Sequence, residues 1–108
     1  MPSTFLNAHR ALTTTDTTVY TANTPGTRSV VIHGLYFSNT SDLTGTTVTL
    51  SVYDATTTTL RRILNKVPIA PNSTLVLEKP INLKPNDELR AKSSNIYCEA
   101  FASVLLLT

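Results

Sequence analysis

The 108-residue chain has no tryptophan, a single cysteine, and charge on only 15% of its residues. One cysteine, Cys98, excludes an internal disulfide framework and a cysteine-rich zinc site; in an apolar stretch it is expected to be a buried, inert thiol. A formal net charge of +2 generates too weak a field to imply a nucleic-acid partner. No apolar run reaches membrane-spanning length, and the opening Met1–Arg10 lacks the continuous apolar core of a signal peptide. The expectation is synthesis and folding in a cytoplasm, with neither nucleic acid nor membrane as partner. The two histidines, His9 and His33, lie with Cys98 on three different elements, whereas metal and nucleophilic sites gather their ligands closely. Asp16, Asp42, Asp54, Glu78, Asp87, Glu88 and Glu99 form no DxD or EF-hand pattern. No enzyme activity, catalytic residue, cofactor or metal is expected.

What the chain does have is threonine, about one residue in five, and a hydrophobic content of 41%. Threonine packs its methyl and keeps its hydroxyl wet, which suits the solvent face of a strand. The length supports one domain with one core. A short phrase occurs twice, Pro71-Asn72-Ser73-Thr74-Leu75 and Pro85-Asn86-Asp87-Glu88-Leu89. Each places proline at the second position of a turn, expected to be type I, and leucine at the start of a strand. Leu75, Leu77, Ile81 and Leu83 share one parity, with Pro80 confining part of that strand to an edge or bulge. Leu89, Ala91 and Ser93 face inward. Two strands behind two such turns predict a β-meander.

The remaining strands follow from the same alternation. Thr18–Ala22 is short and ends at the Pro25-Gly26 turn. Arg28–Asn39 keeps Ile32, Leu35 and Phe37 on one face only if a bulge falls at His33-Gly34. Thr46–Asp54 puts Val48, Leu50 and Val52 inward. Leu60–Val67 has unsettled parity, and Arg61, Arg62 and Lys66 mark it as a charged edge. Asn95–Leu107 directs Ile96, Cys98, Ala100, Ala102, Val104 and Leu106 to one face. Seven or eight mostly antiparallel strands predict an all-β single β-sandwich, with jelly-roll or immunoglobulin-like connectivity left open. The domain is placed at 18–108, and residues 1–17 are an extended N-terminal arm or edge strand. Asn39-Thr40-Ser41 and Asn72-Ser73-Thr74 match the glycosylation sequon by chance. The cations of Lys84, Arg90 and Lys92 belong to solvated strand faces.

Three stretches in order carry a resemblance. They are Thr17-Thr18-Val19-Tyr20-Thr21 with Pro25–Ile32, then Tyr36–Thr40, then Val67–Leu75 running into Leu83–Ala91. This pattern resembles small virion structural proteins of tailed bacteriophages and covers residues 17–108. The resemblance implies a capsid decoration or cement protein acting through protein–protein contacts. A tail- or neck-attached component, or a carbohydrate- or receptor-binding module, is the alternative. Implied partners are its own copies, as a trimer, and other virion proteins such as a major capsid protein; the implied location is the virion. The second face of the last strand, with the apolar residues of the arm, supplies the candidate interface: Phe5, Leu6, Leu12, Tyr97, Phe101, Leu105 and Leu107.

Overall fold

Period-2 alternation gives each strand an apolar face, and such strands bury it by stacking two sheets. In the computed structural model, which describes residues 3–26 and 29–107, nine strands do this. They are β1 (Ser3–Ala11), β2 (Thr17–Thr21), β3 (Ser29–Asn39), β4 (Thr46–Asp54), β5 (Thr59–Ile69), β6 (Thr74–Leu77), β7 (Ile81–Leu83), β8 (Glu88–Ser93) and β9 (Cys98–Leu107). Sheet A runs β1-β9-β3-β6, with β7 also on β3, and sheet B runs β2-β8-β4-β5. The antiparallel pairs β4–β5, β3–β6, β3–β7, β2–β8 and β1–β9 describe one long hairpin. Pairing of β3 with β9 and of β4 with β8 rolls it up. This is jelly-roll connectivity, and the immunoglobulin-like alternative is set aside.

The meander does not form. β5 lies in sheet B and β6 in sheet A, β7 in sheet A and β8 in sheet B. Both proline–asparagine turns therefore carry the chain across the sandwich instead of joining neighbours within a sheet. Their geometry also differs from the expected type I. Asn72 and Asn86 have φ of 58° and 73°, the positive third-position value of a type II turn, which asparagine tolerates. Each turn closes by its own hydrogen bond, Ser73 N to Ala70 O at 3.2 Å and Asp87 N to Lys84 O at 3.0 Å. Each asparagine N–H also donates to a carbonyl of another loop, Asn72 to Ser41 and Asn86 to Ala22. The repeated phrase is thus a repeated corner.

The expected bulge in β3 is present. Ile32 pairs with Val104 and Gly34 with Ser103, leaving His33 as the extra residue. Ile32, Leu35 and Phe37 are accordingly all buried. Gly34 does not have a positive φ, so the bulge does not depend on glycine's backbone freedom. β5 has no settled parity because its register against β4 shifts twice, once between Leu64 and Val67 and once between Arg62 and Leu64. Lys66 sits in the first of these shifts with φ 53°, its N–H donating to Thr49 Oγ1 at 3.2 Å. The final strand starts at Cys98 rather than Asn95, and Ile96 is 70% exposed in the preceding turn.

The core lies between the sheets. Val48, Leu50, Leu89, Cys98, Ala100 and Val104 are buried there, with Val52, Leu75 and Leu77 packed against it. Leu75 and Leu77 stay partly open because β6 is flanked by a strand on one side only.

Candidate interaction surface

The central position of β9 decides what the second face of the last strand becomes. With Cys98, Ala100, Ala102, Val104 and Leu106 buried, alternation turns Phe101, Ser103 and Leu105 to the outside of sheet A. Register then aligns them with their neighbours: Leu105 lies between Phe5 and Val31, and Phe101 between His9 and Tyr36, with Val76 beyond Tyr36. The rings meet across strands. His9 stacks on Phe101 at a centroid distance of 6.5 Å, Tyr36 tilts against Phe101 at 6.3 Å, and Phe5 meets His33 edge-on at 5.7 Å. Phe5 is 71% exposed, and Tyr36, Val76 and Phe101 about 40% each. Glu99 is the only charged residue outward on β9. The result is an aromatic, charge-poor platform over four strands.

Of the residues expected at an interface, Phe5, Phe101 and Leu105 belong to this platform, and Leu107 follows at the end of β9. Tyr97 stands beside it in the turn before β9, 42% exposed. Leu6 points the other way, opposite Val104, and packs against the core. Leu12 is corrected: at 1% exposure it is a core residue. Its N–H donates to Cys98 O at 2.9 Å, which draws the chain inward as it leaves β1 for sheet B. Tyr36, Val76, His9 and His33 belong to the platform and were missed in the sequence. Their strands reveal an outward side only once β3 is known to lie beside β9.

The outside of sheet B is different. Glu88, Arg90 and Lys92 alternate along β8, beside Thr47, Thr49, Ser51 and Tyr53 on β4. Arg90 Nε donates to Glu88 Oε1 at 3.0 Å, and its guanidinium lies 4.3 Å above the Tyr53 ring. Arg90 is the main cause of a Glu88 carboxyl held below its ordinary range, with Thr18 adding a second hydrogen bond. Lys84 likewise holds the Asp54 carboxyl down through a pair at 3.1 Å. Arg90 and Lys84 are thus engaged within the chain.

Two buried polar side chains tie the corners. Asp87 accepts from Lys84 N at 3.0 Å and Ala55 N at 3.1 Å, joining the β7–β8 turn to the β4–β5 turn. Asp87 thus serves the turn that carries it, whereas the Glu88 carboxylate pairs with Arg90. Asn39 donates to the carbonyls of Thr44 and Ile69 and accepts from Ser41 N. At 2% exposure its amide offers no place for a glycan.

His9 and His33 lie on the outside of sheet A and Cys98 on its inside, so the sheet separates them. Burial pushes the Cys98 thiol up to about 11. Among the described residues no three histidine, cysteine, aspartate or glutamate side chains gather as a metal site. A shallow groove of about 540 Å³ runs along the β5 and β6–β7 edges, lined by Ile63 and Val76–Ile81.

No family model matches the chain, and no curated protein matches it. Among solved structures, one described as Bacillus endospore appendages, a novel family of disulfide-linked pili, has a TM-score of 0.56 at 13% identity. That likeness covers 99% of this chain and 87% of the other. Two crystal structures of a pentameric capsid protein isolated from metagenomic phage sequences have TM-scores of 0.45 and 0.44, each at 22% identity. They cover 94% and 96% of this chain but only 59% and 60% of theirs. The first of these is a likeness of fold, over almost the whole length of both chains.

Proposed function

We propose that the chain is a virion structural protein of the decoration or cement kind, attached through the outer face of sheet A. The virion assignment rests on the resemblance carried by Thr17–Ala91. The observation that carries the mode of action is the platform itself. Phe5, Tyr36, Val76 and Phe101 are exposed together on a face with almost no charge, and contiguous apolar patches of this kind mark contacts with other protein. Its own copies and a major capsid protein are the partners that the resemblance implies, with the copies gathered as a trimer around a local three-fold axis of the particle, a contact made on the particle rather than in free solution. A pilus-like linkage by disulfides is not open to Cys98, which is fully buried.

The test is the copy number in purified particles. Hundreds of copies support decoration, and a dozen or fewer place the protein at the tail or neck. Replacing Leu105 and Leu107 together by aspartate should abolish attachment while leaving the fold intact; normal attachment of that variant would refute the face as the contact. The second reading, a carbohydrate- or receptor-binding module, gains from the gathering of Tyr36, Phe101 and Phe5, far apart in sequence, on one face. Micromolar binding on a glycan array, lost in Tyr36→Ala, would select it.

A further inference from the structure

A jelly roll has four edge strands, and each exposes a row of backbone N–H and C=O groups on which another chain can pair. Three of the four are blunted here. β5 has two register shifts and carries Arg61, Arg62 and Lys66. β6 and β7 are four and three residues long with Pro80 between them. β2 has five residues and a register shift at Val19. β1 has none of these devices. It runs nine residues in unbroken register with β9, contains no proline, and carries one charge, Arg10. Among the described residues, nothing pairs on its outer side.

We infer that β1 is a homotypic seam: it pairs antiparallel with β1 of a second copy about a two-fold axis through Asn7. The sequence suits its own reverse. In that register Phe5 faces His9 of the second copy on the outside and Leu6 faces Ala8 on the inside, so both faces stay continuous. Arg10 lies opposite Thr4, and the two Arg10 side chains are about 20 Å apart at strand spacing, too far to repel strongly. All nine residues of β1 find a partner. A register shifted by two keeps the faces but leaves residues at the strand end unpaired, and a shift of one turns Phe5 inward. Sheet A then continues through the axis into its counterpart, and the two aromatic platforms become one surface. A partner of different sequence would not require this self-complementarity. The inference deepens the reading of the chain as an assembling structural protein, but the seam is an edge contact, separate from the face assigned to attachment and from a three-fold contact.

Sedimentation and a cysteine scan test it on the full chain. Wild-type protein should sediment at twice the chain mass. Asn7→Lys, which sets two cations face to face on the axis, should sediment as a single chain at the same concentration with an unchanged circular dichroism spectrum and melting curve. Asn7→Cys should cross-link to a covalent dimer under mild oxidation. Thr4→Cys alone should not, since its counterpart across the axis is Arg10, and buried Cys98 contributes nothing. Thr4→Cys combined with Arg10→Cys should restore the cross-link. A wild-type mass of one or three chains overturns the seam, as does an Asn7→Cys yield no higher than that of Thr4→Cys. Asn7 shares the outward parity of Phe5 and His9, so its lysine variant is read for pairing only; a doubled mass kept by the Leu105→Asp, Leu107→Asp variant that no longer attaches keeps this inference separable from the proposed function.

Discussion

The two sheets present the same face to the core and opposite faces to the outside. Inward, Ile32, Leu35, Phe37 and Val104 of sheet A meet Val48, Leu50 and Leu89 of sheet B as equals. Outward, sheet A shows Phe5, Tyr36, Val76 and Phe101, whereas sheet B shows the Arg90–Glu88 pair of β8 lying over Tyr53, with Lys92 on the same strand. The difference follows from which strand occupies the middle. β9, apolar on both parities, is central in sheet A, and β8, apolar on one, is central in sheet B. A sandwich needs only the inner faces for stability. Surplus apolar surface outside one sheet is what the proposed contact with another molecule rests on.

If the two inner faces are equivalent, truncation in either should cost the same large amount. Leu50→Ala and Ile32→Ala should each lose about 2–5 kcal/mol in urea denaturation, as large-to-small changes at fully buried sites do. A loss below about 0.5 kcal/mol at either would mean that its sheet does not contribute to a shared core. Next in size is the corner that locks the sheets together. Asp87→Ala strands the N–H groups of Lys84 and Ala55 and should cost about 1–3 kcal/mol. An unchanged denaturation midpoint would count against that tie.

The outer faces should respond far less in stability. Phe101→Ser on sheet A should shift it by less than about 1 kcal/mol while weakening attachment, since the ring is partly exposed; a core-sized loss would make the platform structural. On sheet B, Glu88→Gln should cost less than about 1 kcal/mol and leave attachment unchanged. Because Arg90 lowers the Glu88 carboxyl from its ordinary value of 4.5, the ionised form favours the folded state. That stabilisation is present above the ordinary value and is lost as pH falls through the lowered one. The variant's deficit should therefore shrink in acid; a deficit constant from neutral pH downward would remove the ion pair as its cause. Smallest of all is Gly34→Ala. An added methyl would sit 3.5 Å or more from Tyr36 and Ser103, an ordinary contact, so stability should stay within about 1 kcal/mol of wild type by urea midpoint.

Much of the inner face was legible in the sequence. Alternation in Thr46–Asp54 gives β4 with its bounds intact, and the mismatch of Ile32 with Leu35 and Phe37 is enough to locate the β3 bulge. The surplus on β9 was visible for the same reason, since a strand apolar on both parities announces two covered sides. Less legible were β5, whose two register shifts scramble its period, and Leu12, a lone leucine among polar residues that a backbone bond to Cys98 draws into the core.

By itself the sequence determined the class of fold, most of the core and the positions of the corners, because period-2 alternation, proline and asparagine act on the chain within a few residues. The path taken at each corner was decided only by tertiary structure. The Pro71-Asn72 and Pro85-Asn86 turns are equally able to join two neighbours or to cross a sandwich, and the partners that hold them, Ser41 and Ala22, lie 31 and 64 residues away. The platform is tertiary for the same reason. Phe5, Tyr36, Val76 and Phe101 share a surface because β1, β3, β6 and β9 are aligned by backbone pairing, and long-range register is a property that no local pattern carries.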